Sequence, residues 1–142
     1  MTSRSQEFRR FYLALNRDTL SEDFLAGIYD RDIVFTDPLH RIEGIKALHR
    51  YFSEMYANVD SIDFSFTQHY DSANSSMERW TMTFRHPRLA GGKPIKVDGC
   101  SELHWSNGRI VRHQDFFDAG SMLYEHIPLM GWGIRKLKER LV

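Results

Sequence analysis

Apolar residues recur along this chain with two different periods, and the switches between them divide it into elements. Near the start Phe8, Phe11, Tyr12 and Leu15 follow i, i+3, i+4, i+7 spacing, which predicts a helix. "SEDFLAGIY" (21–29) predicts a second helix, with Ser21 as N-cap, Glu22 and Asp23 in the first turn, and Phe24, Leu25 and Ile28 on one face. "DIVFTDP" (32–38) changes to alternation, with Ile33 and Phe35 on one side, and Pro38 stops the strand. "EGIKALHRYFSEMYANV" (43–59) returns to the helical period through Ile45, Leu48, Phe52 and Met55. Four alternating runs follow at 61–70, 77–86, 94–105 and 109–117. "DSANSS", "PRLAGGK" and "SNG" join them with turn-forming residues, which predicts an antiparallel meander. The tail "GWGIRKLKERL" (131–141) is again helical, and we expect Trp132, Leu137 and Leu141 to face one way.

Helices segregated from a mostly antiparallel sheet define an α+β fold. A strongly twisted sheet would wrap around the three leading helices and leave a pocket between them. The 142 residues suit one domain, 1–142, with no repeat, linker or low-complexity tract. Lys plus Arg equals Asp plus Glu at 19 each, so no global field recruits nucleic acid or an anionic membrane. Cys100 is the single cysteine, which rules out an intrachain disulfide. The start, "MTSRSQEFRRFY", has no apolar core of signal-peptide length, and no run of 18 apolar residues occurs. The expectation is a cytoplasmic protein.

The candidate chemistry is carboxylate and imidazole. Asp37, in "FTDPLH", stands where a strand ends: either it holds the turn, or it points into the pocket as a base. His113 and Asp115, two apart on the last strand, share a face with Val111 and Phe117, expected to be the inward one because the competing face of Arg112, Gln114 and Phe116 is more polar, and form a candidate proton-transfer pair. His40 lies three residues from Asp37, at the mouth or in an exposed loop. Trp80, Met82, Phe84, Phe64 and Phe66 are expected on the concave face, where Tyr12 and Tyr29 would supply hydroxyls. His69, His86 and His104 lie on separate strands without metal-ligand spacing, and neither a phosphate loop nor a nucleophile elbow is present. No metal or cofactor is therefore expected. "MLYEHIPLMGWG" (122–133) is apolar and followed by basic residues; packing on the sheet or a partner subunit is favoured over a membrane surface.

Three stretches, "FRRFYLALN", "IYDRDIVFTDPLHRIEGIKAL" and "GRIVRHQDFFDAG", resemble in order and spacing the nuclear-transport-factor-2-like superfamily, and SnoaL-like domains in particular, over roughly residues 5–127. The resemblance implies a cone with a deep cavity. Relatives include ketosteroid isomerase, limonene-epoxide hydrolase, polyketide cyclases and many proteins without chemistry. It places Asp37 where the isomerase has its general base. Position 11, the isomerase's oxyanion tyrosine, is Phe11 here, and Tyr12 lies about 100° further round the helix. The isomerase's second donor, a protonated acid, falls near Ser101. Asp115 resembles the acid/base aspartate of the cyclases. Dimerisation through the outer sheet face is also implied. The expected site is Asp37, His113 and Asp115, with Tyr12, Tyr29, His40, Trp80, Met82, Phe84, Ser101 and Phe117 around a ligand. The expected function is acid/base catalysis without cofactor on a small apolar carbonyl compound; the alternative is a ligand-binding or dimeric scaffold domain.

Overall fold

A computed structural model of the chain describes residues 3–122 and 130–141. Helix α1 (Arg4–Ala14) opens on a capping box: Ser3 accepts from the Gln6 amide while the Gln6 side chain accepts from the Ser3 amide. It buries Ser5, Phe8 and Phe11. Helix α2 (Glu22–Ala26) is capped by Ser21, as its sequence predicts. Strand β1 (Tyr29–Thr36) leads through the Asp37 turn to β2 (Arg41–Glu43), then to α3 (Ile45–Asn58). Strands β3 (Ser61–Asp71), β4 (Ser75–Arg85), β5 (Ile95–Ser106) and β6 (Arg109–Phe117) follow, then α4 (Ala119–Met122) and α5 (Met130–Arg140).

The meander pairs as expected, but the sheet has six strands in the order β2-β1-β6-β5-β4-β3. Strand β1 joins β6 in parallel, a long-range pairing that alternation alone does not encode. Strand β2 is too short for its period to register. Register shifts interrupt the β1–β6, β3–β4 and β5–β6 ladders. Such bulges bend the strands and raise local twist, and the mostly antiparallel sheet curves around α1 and α3.

One bulge decides which side chains face inward. Trp105 pairs with Ile110 and His104 with Arg112, so Val111 is the extra residue on β6. Ile110 is therefore buried, Val111 only half-buried, and His113, Asp115 and Phe117 return to the concave face. The expected inward place of Val111 is corrected on this ground; that of His113, Asp115 and Phe117 stands.

Helices and sheet enclose one core around Phe8, Phe11, Leu25, Tyr29, Ile33, Leu48 and Phe52. Burying each of its large side chains stabilises the fold by about 2 kcal/mol. A second cluster joins Val59, Phe84, Leu89, Ile95 and Val97. At the far end of the sheet Glu78 is buried: its carboxylate accepts from the Ser5 hydroxyl and pairs with Arg9, whose guanidinium also lies over the Phe66 ring.

Trp132, Leu137 and Leu141 are all exposed. At about 100° per residue, Leu137 and Leu141 lie opposite Trp132, so the expectation of one shared face is corrected. Of segment 122–133, residues 123–129 lie outside the described residues. Among the described residues no helix is long and apolar enough to cross a membrane.

Candidate active site

The concave face encloses a cavity of about 110 Å³. Its walls are mostly rings: Tyr12 from α1, Phe35 from β1, Tyr51, Phe52 and Tyr56 from α3, Phe64 and Trp80 from the sheet, Phe117 from β6. Met82 and Met55 fill gaps between them. Among the described residues two carboxylates, Asp37 and Asp115, reach this wall, and no lysine or arginine lines it. Larger depressions between α1 and α2 and on the outer sheet face bring no buried ionisable side chain to their walls.

At the mouth, Asp37 ties the turn with one oxygen and faces the cavity side with the other. Oδ1 accepts from the amides of Leu39 and His40, at 2.8 Å each, and ties the turn between β1 and β2. Oδ2 accepts from the Tyr51 hydroxyl at 2.6 Å, on the cavity side. The side chain is only 6% exposed. His40 Nδ1 lies 3.2 Å from Oδ1, with its ring 48% exposed at the rim. Burial, reinforced by the hydrogen bond to Asp37 and the charges of Asp37 and Asp115, pushes the Tyr51 phenol well above its ordinary value.

At the floor, β4, β5, β6, β1 and α1 contribute to one hydrogen-bonded chain. Trp80 Nε1–H donates to Ser101 Oγ at 2.9 Å, and Ser101 donates to Asp115 Oδ1 at 2.5 Å. His113 Nε2 lies 2.6 Å from the same oxygen. His113 Nδ1 lies 2.8 Å from the Tyr29 hydroxyl, which is 2.5 Å from the Tyr12 hydroxyl. Asp115 Oδ2 has no hydrogen bond to the described residues. Burial is the main reason that the Tyr12 and Tyr29 phenols stay protonated well above the usual range; the Asp115 charge adds to it in both.

Of the expected site residues, Asp37, Asp115, Tyr12, His40, Trp80, Met82 and Phe117 line the cavity. Tyr29, Ser101 and His113 lie behind that wall and reach it only through Tyr12, Asp115 or Trp80. Phe84 belongs to the second core cluster, two residues beyond Met82, and its expected contact with ligand is corrected. Tyr12, not position 11, faces the cavity. Phe11 instead stacks on Phe24 at 4.7 Å and meets Tyr29 edge-on. Tyr51 and Tyr56 were missed, although each follows a core residue of α3 at helical spacing: Leu48 to Tyr51, Phe52 to Tyr56. Among the described residues no group of three His, Cys, Asp or Glu side chains is placed to hold a metal ion.

The curved α+β fold has relatives in both sequence and structure. The SnoaL-like domain family matches residues 8–113, and the chain belongs to that family. No curated protein matches it. Among solved structures, an NTF2-like protein of unknown function from Burkholderia pseudomallei shares 16% identity at a TM-score of 0.73, over 87% of this chain and 96% of that one. A protein with a ketosteroid isomerase-like fold from Catenulispora acidiphila, in complex with trimethylamine, shares 13% identity at 0.72, over 87% and 92%. TerC, co-crystallised with polyporic acid, shares 12% identity at 0.70, over 84% and 95%. Likeness at these identities establishes the fold alone.

Proposed function

We propose that this chain is a cofactor-independent acid/base enzyme acting on a small apolar carbonyl compound held in the cavity. One observation carries the reading. Asp115 presents a carboxylate to an apolar cavity with one oxygen fixed by Ser101 and His113 and the other without a hydrogen-bonding partner among the described residues. A fixed carboxylate in such a place is equipped to take a proton from carbon beside a carbonyl. Tyr12 lies on the same wall to meet the oxygen that becomes negative. Asp37 is the weaker candidate for that base, because its oxygens are already engaged by two amides and the Tyr51 hydroxyl.

The test is deuterium exchange. Small apolar ketones are incubated with the protein in deuterium oxide, and incorporation beside the carbonyl is followed by mass spectrometry. Wild-type protein should accelerate incorporation, and Asp115→Asn should lose at least 100-fold of that acceleration, the usual share of a general base, while keeping its circular dichroism spectrum. Undiminished exchange in Asp115→Asn would refute the assignment.

The cavity size favours a second reading. About 110 Å³ is well below the ~300 Å³ at which pockets for drug-sized ligands begin. A non-catalytic domain that holds a very small molecule, or serves as a dimer scaffold, also fits such a volume. Two neighbours in structure carry small molecules, trimethylamine in one and polyporic acid in the other. Homodimerisation belongs to both readings. The outer sheet face presents Tyr70 and Phe116 to solvent beside Met77 and Cys100, and sedimentation of a Phe116→Glu variant tests it.

A further inference from the structure

The chain Asp115–His113–Tyr29–Tyr12 begins and ends at one cavity. Asp115 and Tyr12 line it, whereas His113 and Tyr29 are 2% and 1% exposed and lie behind its wall. Every link is between 2.5 and 2.8 Å. We propose that these four side chains form a two-state relay in which a proton on His113 sets, through Tyr29, whether the Tyr12 hydroxyl donates into the cavity or accepts from it. The proposal rests on the acid/base reading above and adds to it two residues that never meet the substrate.

Donor and acceptor counting dictates the two states. With His113 neutral, Nε2–H donates to Asp115 and bare Nδ1 must accept from the Tyr29 hydroxyl. The Tyr29 oxygen then accepts from Tyr12, and Tyr12 turns only lone pairs to the cavity. With His113 protonated, both nitrogens donate. Tyr29 must then accept from Nδ1 and turn its own proton to Tyr12, and the Tyr12 proton points into the cavity. Tyr29 is the middle link, since among the described residues its hydroxyl has no other hydrogen-bond partner and the residue is 1% exposed.

In the proposed reaction the protonated state is the working one. Asp115 remains a carboxylate, and its Oδ2 takes the C–H proton while Tyr12 gives its proton to the carbonyl oxygen. Tyr29 replaces the Tyr12 proton, and His113 Nδ1 replaces that of Tyr29. The substrate is then an enol, with Asp115 protonated and His113 neutral. Delivery of the Asp115 proton to a second carbon, with the enol proton returning to Tyr12, runs the relay backward and restores the starting state.

Among the described residues, the other titratable groups near the relay are Tyr51 and Tyr56 from α3, whose fields reach Asp115 or the two phenols, Cys100 from β5, which feels Asp115, and Asp37 and His40 at the mouth of the same cavity. The readout must therefore be specific for Tyr12. The full chain is labelled with carbon-13 at tyrosine Cζ and histidine Cε1 and titrated by NMR from about pH 5 to 9, the range of imidazole chemistry. Tyr12→Phe supplies the assignment. The expected result is that the Tyr12 Cζ signal moves with the same midpoint as His113 in the wild type. In Tyr29→Phe the Tyr12 signal should stay flat over the same range. A flat Tyr12 signal in the wild type overturns the proposal. So does a Tyr12 signal that still follows His113 in Tyr29→Phe, because a charge felt through space across 6.2 Å of ring separation would explain both. If Tyr29→Phe fails to fold, a flat Tyr12 signal in the wild type still overturns the proposal. Deuterium exchange without coupled titration would leave Asp115 acting by itself. Coupled titration without exchange would leave the relay standing in a protein of another activity.

Discussion

Gly99 is the position where the fold and the site depend on the same missing atom. It lies on β5 opposite Trp80 on β4 and Phe117 on β6. A Cβ built there would stand 2.5 Å from Trp80 Cη2 and 2.7 Å from the Phe116 carbonyl oxygen. Ordinary contact begins near 3.4 Å, so Gly99→Ala is short of room by roughly an ångström on two sides. The Phe116 carbonyl belongs to the paired neighbouring strand and cannot withdraw without breaking the ladder. The indole must therefore move, yet Nε1–H holds Ser101 at 2.9 Å and its ring meets Phe64 edge-on at 5.7 Å. Overpacking of this kind costs about 1–3 kcal/mol. Losing the Trp80–Ser101 hydrogen bond adds about 1 kcal/mol. With a shift of about 3 °C per kcal/mol for a chain of this size, the melting temperature should fall by roughly 6–12 °C. Thermal unfolding followed by near-ultraviolet circular dichroism reads both the midpoint and the tryptophan environment. Gly108→Ala is the control: it meets no atom within 4 Å and is strained only through its φ of +76°. It should cost about 1 kcal/mol and leave the tryptophan signal unchanged. A Gly99→Ala protein that melts within a degree of the wild type would refute the packing argument.

Two further predictions concern buried ionisable groups. Burial raises the Glu78 carboxyl above its ordinary value, against the opposing pull of Ser5 and Arg9. A raised folded-state value means that its contribution is full below the unfolded carboxylate pKa of about 4.3 and is lost as pH rises through the folded one. Urea midpoints between pH 4 and 7 should therefore decline more in the wild type than in Glu78→Gln, and parallel profiles would contradict this. Of the six tyrosines, Tyr12, Tyr29, Tyr51 and Tyr56 are all held protonated above the ordinary phenol range, by burial first. An alkaline absorbance titration should show no more than two phenols ionising near pH 10 while the protein stays folded; three or more would show that the cavity admits water and hydroxide freely.

Local information carried most of the elements, because strong periodicity and turn residues act within a few positions. The capped start of α2, the parity of β5 and the inward face of His113 and Asp115 were all legible this way. What escaped were features created by distant pairing. The parallel β1–β6 ladder brings Tyr29 to His113 across 84 positions, and nothing in either strand's alternation announces it. The bulge at Val111 changes parity within a strand whose sequence reads as regular. Phe84 obeys the same alternation as Trp80 and Met82, yet sheet curvature carries it past the cavity into another cluster. Alternation predicts a side of the sheet; curvature decides how far along that side the cavity extends.

Asp37 shows why residue type and position alone underdetermine a site. An aspartate before proline at a strand end satisfies the requirements of a turn and of a base equally well, and a carboxylate has two oxygens with which to answer both. Here Oδ1 is taken by the turn, and Oδ2 by a tyrosine two turns into α3 that the turn itself brings within reach. Asp115 has the reverse assignment: its support comes from strands and rings behind it, so that one oxygen is held by Ser101 and His113 while the other has no hydrogen bond to the described residues. Two carboxylates on one cavity therefore differ in availability through what surrounds them, and that difference, more than their shared residue type, selects Asp115 as the group to test first.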